Sequence, residues 1–517
     1  MIKIIVSMVI DYSQKKDCIQ ISYVTPDSKI DVEEIYPDGG YFNYVACDDY
    51  DPDRIEGLMS FYGSAVKRQP DKYFKGHNIN EFFENIIPNY YKESHEKLSI
   101  LNEPLPFSCD IETEITDEYG YSNQHDVENK IISISMTDYH LNTMLFIIKN
   151  DKHPELNDLD KNYINSILED ATEKYYNEHQ LDNWEVVQFD TEFQMLNTFV
   201  ESINKYFHML FGWNFLDYDW QYIFNRCKKL GIDVKKASPT NSINEQTIQI
   251  NQNTSINVKT PKHRIIDDYM LMFKKSYTYR SLGSFSLDDC SNSVLGLRKV
   301  AYKGNLRTLY EEDYCKFIAY ALVDTILVML IHKTTNLISV NFFQSHYSSV
   351  PYLKINQNPI SDALIYKELR RQGRFLLLSE FSKEEVREYP GGYVKAPTKK
   401  IANSVMGLDF NALYPNAMIS LGLSPEAKID VIDVDDFGRP IDEENMQRWL
   451  KYKEMGFCLA PTGRIYDIRD KKLFTVIEEN LLNERKHYKN IKNDIYLNIS
   501  TKIEDMIQNL ERAIINC

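Results

Sequence analysis

Asp110 and Glu112 flank Ile111 in the stretch SCDIETE. On a strand, where side chains alternate, both carboxylates project from one face while Ile111 points into the core. About a hundred residues later GWNFLDYDWQYIFNR places Asn214 and Asp219 just ahead of a helical pattern, and in YALVD Tyr320 and Asp324 stand one turn apart on one helix face. Met406 to Pro425, MGLDFNALYPNAMISLGLSP, adds Asp409 at the end of what reads as a buried strand, with Tyr414-Pro415 five residues on. A buried charge is costly unless it is paired or binds a metal. Each signal also has a plain reading. D-x-E recurs by chance, Asp219 can be an N-cap, and Tyr320 can be a core aromatic with a satisfied hydroxyl. Asp217 is a rival ligand to Asp219, or a solvated loop charge.

The elements that hold these groups can be read from pattern. At 517 residues the chain is too long for one core, and the usual prior gives roughly three or four domains. Hydrophobic content of 43% and aromatic content of 13%, with 36 Tyr, indicate a globular protein with ample core. The eight cysteines form no CxxC pair, which reads as reduced, cytosolic and without structural zinc. The opening MIKIIVSMVID is too short to span a bilayer and reads as a first β-strand, and no other stretch is read as a membrane span. A net charge of −17 argues against a passive nucleic-acid coat, though not against an enzyme whose acid lies in metal sites. Short β-like runs fill the first hundred residues. An apolar strand from Leu105 ends in the Asp110 motif, followed by IISISMTDY, TMLFIIK and helical segments around 191–210 and 217–230. The polar, alternating span 240–260 predicts an exposed β-hairpin, and 312–335 predicts a helix. The mixture indicates α/β and α+β layers.

In this order, strand D-x-E, N-x4-D and Y-x3-D resemble the three exonuclease motifs of proofreading DNA polymerases, whose domain has an RNase H-like fold. Phosphodiester hydrolysis can use two Mg2+ ions about 4 Å apart, and hard oxygen ligands suit that ion, with Mn2+ as a substitute. The resemblance implies Asp110, Glu112, Asp219 and Asp324 as ligands, Tyr320 as the group orienting the attacking water, and Asn214 as a DNA contact. LDFNALYPN is similar to motif A of family B DNA polymerases. There Asp409 would be a palm metal ligand, and Phe410, Leu413 and Tyr414 would meet the nucleotide, with Tyr414 under the deoxyribose. Ala412 and Asn416 replace the usual Ser residues of D-x-x-S-L-Y-P-S. YPGGYV, with Tyr389, Gly391 and Gly392, resembles the Y-x-G-G element that contacts DNA, although an ordinary turn reads the same way. ENLLNERKHYKNIK resembles the start of the fingers, where Arg485 and Lys489 would grip nucleotide phosphates. As a charge run alone it reads as a solvated helix face.

The order and spacing of the motifs, recognisable from about 105 to 495, resemble the polymerases of T-even-type bacteriophages. The implied architecture is an N-terminal β-rich domain at 1–104 to which 340–380 returns, a 3′–5′ exonuclease domain at 105–339, a partial palm at 381–470 and a truncated first fingers helix at 471–517. K-x3-N-S-x-Y-G and D-T-D, which would bring the second palm aspartate, do not occur. The final segment carries an apolar stripe through Ile495, Ile499, Ile503, Ile507, Leu510 and Ile514. The expectation is therefore the N-terminal part of a phage replicative polymerase acting on primer-template DNA, single-stranded 3′ ends and dNTPs. It would work with a second polypeptide carrying the remaining palm, fingers and thumb, away from membranes, in the cytoplasm of the infected bacterial host. A stand-alone exonuclease is the alternative, and a non-catalytic DNA-binding remnant the third reading.

Overall fold

The computed structural model describes residues 105–375, except 122, 151–154, 252–253, 277, 280, 356–358 and 373, and residues 406–515. It also describes 8–14, 19–25, 29–35, 42–46, 59–60 and 66–70, and side chains as far as 495. The chain divides into two compact units, residues 1–41 with 72–360, and residues 42–71 with 361–517.

In the first unit, β1 (Met8–Gln14), β2 (Ile19–Val24) and β3 (Ile30–Ile35) form an antiparallel meander. The strands β4 (Phe42–Ala46), β5 (Met59–Ser60) and β6 (Val66–Pro70) belong to the second unit. The first unit is built on a six-stranded sheet of β7 (Pro106–Thr113), β8 (Ile131–Asp138), β9 (Thr143–Ile148), β10 (Trp184–Phe189), β11 (Met209–Gly212) and β14 (Ile265–Asp268), in the order β10-β9-β8-β7-β11-β14. β7, β8 and β9 run antiparallel in succession, whereas β11 and β14 extend β7 in parallel. The intervening β12 (Ile243–Asn251) and β13 (Thr254–Pro261) pair as the hairpin expected for 240–260.

Alternation along the strands divides the core between the two faces of the sheet. Cys109, Ile111, Leu210 and Ile266 pack with the helices Glu192–Lys205 and Asp219–Leu230. Leu145, Ile147, Met209, Phe211 and Ile265 pack on the other side with the helices Asp158–Thr172, Leu287–Leu295 and Tyr314–Thr335. A helix lying between a sheet and other helices has no solvent side, so Tyr314–Thr335 is apolar all round. By length and composition it is long enough to cross a bilayer, contrary to the expectation that no stretch qualifies, but it is the buried centre of this unit. Asp313 caps its start by accepting from the Lys316 N–H at 3.1 Å, and Asn336 ends it in the left-handed conformation.

The second unit contains the antiparallel pair β4–β6 and the parallel pair of β5 with β15 (Arg374–Phe375). Its three-stranded antiparallel sheet comprises β16 (Lys428–Val431), β17 (Phe457–Leu459) and β18 (Arg464–Asp467), in the order β16-β18-β17. The helix Leu413–Leu421 packs against the long helix Leu473–Ile515. The start of the long helix is satisfied by Glu426, which accepts from the Leu473 N–H at 2.7 Å.

Candidate metal centre

Asp110 and Glu112 leave the same face of β7 and meet Asp324 from the Tyr314–Thr335 helix. Carboxylate oxygens of all three lie within 4.8 Å of one another. Asp110 and Glu112 are half-buried, whereas Asp324 is only 3% exposed. Three acids this close repel unless protons or cations intervene. Burial and then the Asp324 charge push the Asp110 carboxyl up to about 7, with Lys299 opposing. Burial, Asp110 and Asp324 hold Glu112 well above the usual carboxylate range.

Asp219 arrives from the opposite side. β11 covers β7 only as far as Ser108, which leaves the later backbone of β7 open along that edge. Asp219 is the first residue of its helix, with Tyr218 in the N-cap position, so the N-cap reading of Asp219 does not hold. Its Oδ1 accepts from the Ile111 N–H at 3.3 Å, between the two β7 carboxylates. Burial and then Asp110 raise its carboxyl, and that hydrogen bond opposes the rise. The loop before it turns through Asn214, whose φ is +63°, and is tied down where the Leu216 N–H donates to Asp268 Oδ2 at 3.1 Å. Asp217 is half-buried, and its carbonyl accepts from Gln221.

Sequence pattern did not reveal Lys299. Its Nζ lies 2.7 Å from Asp324 Oδ2 and donates to the Tyr320 hydroxyl at 3.1 Å. Burial lowers this ammonium, but the charges of Asp324 and Asp110 more than offset it and hold the group above its ordinary value. Burial raises Asp324, while the charge and hydrogen bond of Lys299 and the Tyr320 hydroxyl pull it back. Burial and the neighbouring acids keep the Tyr320 hydroxyl protonated. Tyr302 packs edge-on against Tyr320 at 5.4 Å between ring centroids.

Asp324 Oδ1 is buried and has no hydrogen-bond partner among the described residues. An orphaned carboxylate oxygen beside two further carboxylates suits a hard divalent cation, so the residues fit such an ion.

In the second unit Asp409 and Phe410 lie in a segment, Met406–Phe410, that is exposed throughout and has no strand pairing among the described residues. This differs from the buried strand read from the sequence. A short apolar run specifies a strand only where a neighbour covers it, and here Met406, Leu408 and Phe410 are 82%, 89% and 76% exposed. Ala412 adopts φ +50° and starts the helix that carries Leu413 and Tyr414, the latter 82% exposed. Arg485 and Lys489 are exposed on the long helix. Tyr389, Gly391 and Gly392 lie outside the described residues, as do the side chains of Ile499, Ile503, Ile507, Leu510 and Ile514.

Residues 67–289 match the profile of the DNA polymerase family B exonuclease domain, and residues 352–510 match that of DNA polymerase family B itself. The chain is 26% identical to the DNA-directed DNA polymerase of Enterobacteria phage T4 over 314 residues, 60% of this chain and 34% of the relative. It is 28% identical to the DNA-directed DNA polymerase of Escherichia phage RB69 over 222 residues, 42% of this chain and 24% of that protein. DNA polymerase 1 of Sulfolobus acidocaldarius is 24% identical over 466 residues, 83% of this chain and 48% of that protein. The matched region thus spans about a third of the T4 relative and a quarter of the RB69 one. With the exonuclease profile lying over Asp110, Glu112 and Asp219 and the polymerase profile over Asp409, this chain belongs to the family B DNA polymerases.

Proposed function

We propose that the first unit is a 3′–5′ exonuclease that removes nucleotides from single-stranded DNA ends. The observation that carries this reading is the convergence of Asp110, Glu112 and Asp324, with one Asp324 oxygen left without a partner among the described residues. Asp110, Glu112, Asp219 and Asp324 would hold Mg2+, or Mn2+ in its place. When bound, a divalent ion activates water and stabilises the departing oxygen. Tyr320, kept protonated beside Asp324, has a hydroxyl to orient the attacking water. Lys299 favours the ionised form of Asp324. Asn214, at the turn leading to Asp219, is suited to contact the strand. With Mg2+ or Mn2+ the purified chain should shorten 3′-labelled single-stranded DNA, and Asp110→Ala with Glu112→Ala should abolish this. Persistent degradation by a folded double mutant would overturn the assignment.

Template-directed synthesis is the second reading, favoured by the profile match over Asp409. In it Asp409 is a palm metal ligand, Phe410, Leu413 and Tyr414 meet the incoming dNTP, Arg485 and Lys489 grip its phosphates, and Tyr389, Gly391 and Gly392 follow the primer-template. One palm carboxylate does not complete a two-ion site. The other palm aspartate, with the remaining fingers and thumb, would come from outside these residues, a second polypeptide being one source, and the complete enzyme would replicate phage DNA in the cytoplasm of an infected bacterium. Primer extension by the 517 residues alone would count against this arrangement.

A further inference from the structure

The Tyr314–Thr335 helix presents apolar side chains on every side, from Phe317 to Ile331. A uniform apolar surface packs against a sheet almost equally well when shifted by one turn, which would carry Asp324 away from Asp110 and Glu112. One group of buried hydroxyls breaks that degeneracy. Ser108, on the same face of β7 as Asp110 and Glu112, donates to the Thr325 carbonyl at 2.8 Å. Thr137 of β8 donates to Thr325 Oγ1 at 2.8 Å, and Ser135 Oγ lies 2.9 Å from the same oxygen. Thr325 in turn donates to the Leu322 carbonyl at 3.1 Å, and Thr137 is linked to Thr143 of β9 at 3.0 Å. Ser108, Ser135, Thr137 and Thr325 are each no more than 2% exposed, so a shifted helix would forfeit these cross-links in a dry interior and leave Ser108 and Thr137 only their bonds within the sheet.

We propose that Thr325 is a positioning residue, whose hydroxyl and carbonyl lock the helix to β7 and β8 in the one register that brings Asp324 to Asp110 and Glu112. The inference rests on the metal-dependent exonuclease reading and is tested by metal binding as well as by activity. Thr325→Val keeps the shape and removes the hydroxyl, whereas Thr325→Ser keeps the hydroxyl. Mn2+ binding, followed by electron paramagnetic resonance on variants shown to be folded by near-ultraviolet circular dichroism, should weaken roughly tenfold in Thr325→Val and stay near wild type in Thr325→Ser. The Mg2+ concentration needed for half-maximal 3′ shortening should rise in parallel, with KM for single-stranded DNA unchanged. Should Thr325→Val not fold, Ser108→Ala, which removes the strand's bond to the Thr325 carbonyl, should weaken Mn2+ binding in the same direction. A folded Thr325→Val that binds Mn2+ as the wild type does overturns the proposal, as does wild-type protein that takes up no Mn2+. Weakened Mn2+ binding in Thr325→Val, from a wild-type chain that does not shorten DNA, supports the positioning role and overturns the exonuclease reading alone.

Discussion

Lys299 Nζ sits 2.7 Å from Asp324 Oδ2 and 3.1 Å from the Tyr320 hydroxyl, so a single ammonium touches both residues of the Y-x3-D pair. It leaves Asp324 Oδ1 without a partner among the described residues. The lysine thus favours the charged form of the most deeply buried of the three clustered carboxylates, against the burial that raises it, while leaving one of its oxygens for a cation.

Removing that ammonium tests the arrangement. A neighbouring cation favours the ionised carboxylate, so its loss raises the Asp324 carboxyl further and more base is needed to ready the site. In Lys299→Met, 3′ shortening at neutral pH should fall about ten- to a hundred-fold. The acid limb of the pH–rate profile should move to higher pH, with partial recovery of rate above it. A profile superimposable on the wild type would show that Lys299 acts only on the fold.

The raised carboxyls make a prediction about the metal-free protein. Burial beside Asp324 pushes the Asp110 carboxyl from its ordinary 3.8 up to about 7 in the folded chain, so between these values the folded state holds the extra proton. Stability then falls as pH rises through that window. In EDTA the melting temperature should decline from about pH 5 to pH 7.5. Mn2+ added at the upper end should restore it with release of protons. Asp110→Asn should abolish metal uptake and flatten the decline. A metal-free Tm that climbs over the same range would contradict the crowding of these acids.

Gly212 ends β11 close against β7. A Cβ there would lie 2.3 Å from the Cys109 carbonyl oxygen and 2.8 Å from Phe215 Cδ2. Gly212→Ala should therefore push β11 away from the residue preceding Asp110. A cost of about 1–3 kcal/mol in chemical denaturation is expected, with a larger proportional loss of nuclease activity. Unchanged activity would mean that β7 tolerates the shift.

A buried ion pair should dominate local stability. Arg226 meets Glu192 through two hydrogen bonds of 2.8 and 2.7 Å, and both side chains are 7% exposed. Arg226 also donates to the Val127 and Glu128 carbonyls, while Glu192 accepts from the Ile131 N–H at 2.8 Å. Arg226→Met leaves the buried Glu192 with only the Ile131 N–H of these partners, costing about 3–5 kcal/mol. Arg226→Met with Glu192→Met should cost less than the sum of the two single changes. Additive losses in urea denaturation would show that the pair is not coupled.

The carboxylates were legible because their chemistry fixes both residue type and spacing: a strand brings Asp110 and Glu112 to one face whatever surrounds them. The hairpin from Ile243 to Pro261 was legible for the same local reason. Lys299 was not, since a lone lysine between helices gives no spacing signal and meets Asp324 only through the tertiary fold. Thr325 was hidden in an apolar run, where one hydroxyl reads as noise until its strand partners are known. The Met406–Phe410 segment was read as a buried strand from its short apolar run, but such a run does not supply the neighbour that buries it.

Asp110 and Asp324 stand 214 positions apart (324 − 110), although their oxygens share one small cluster. The helix that brings Asp324 is also the one around which the first unit packs. A chain emerging from the ribosome therefore has β7 and its two acids long before the residues that complete the site. Loop closure over such a separation comes late in folding. Hydrolytic competence would then appear only once the whole unit has condensed, and a half-made chain would be harmless to any nucleic acid near it.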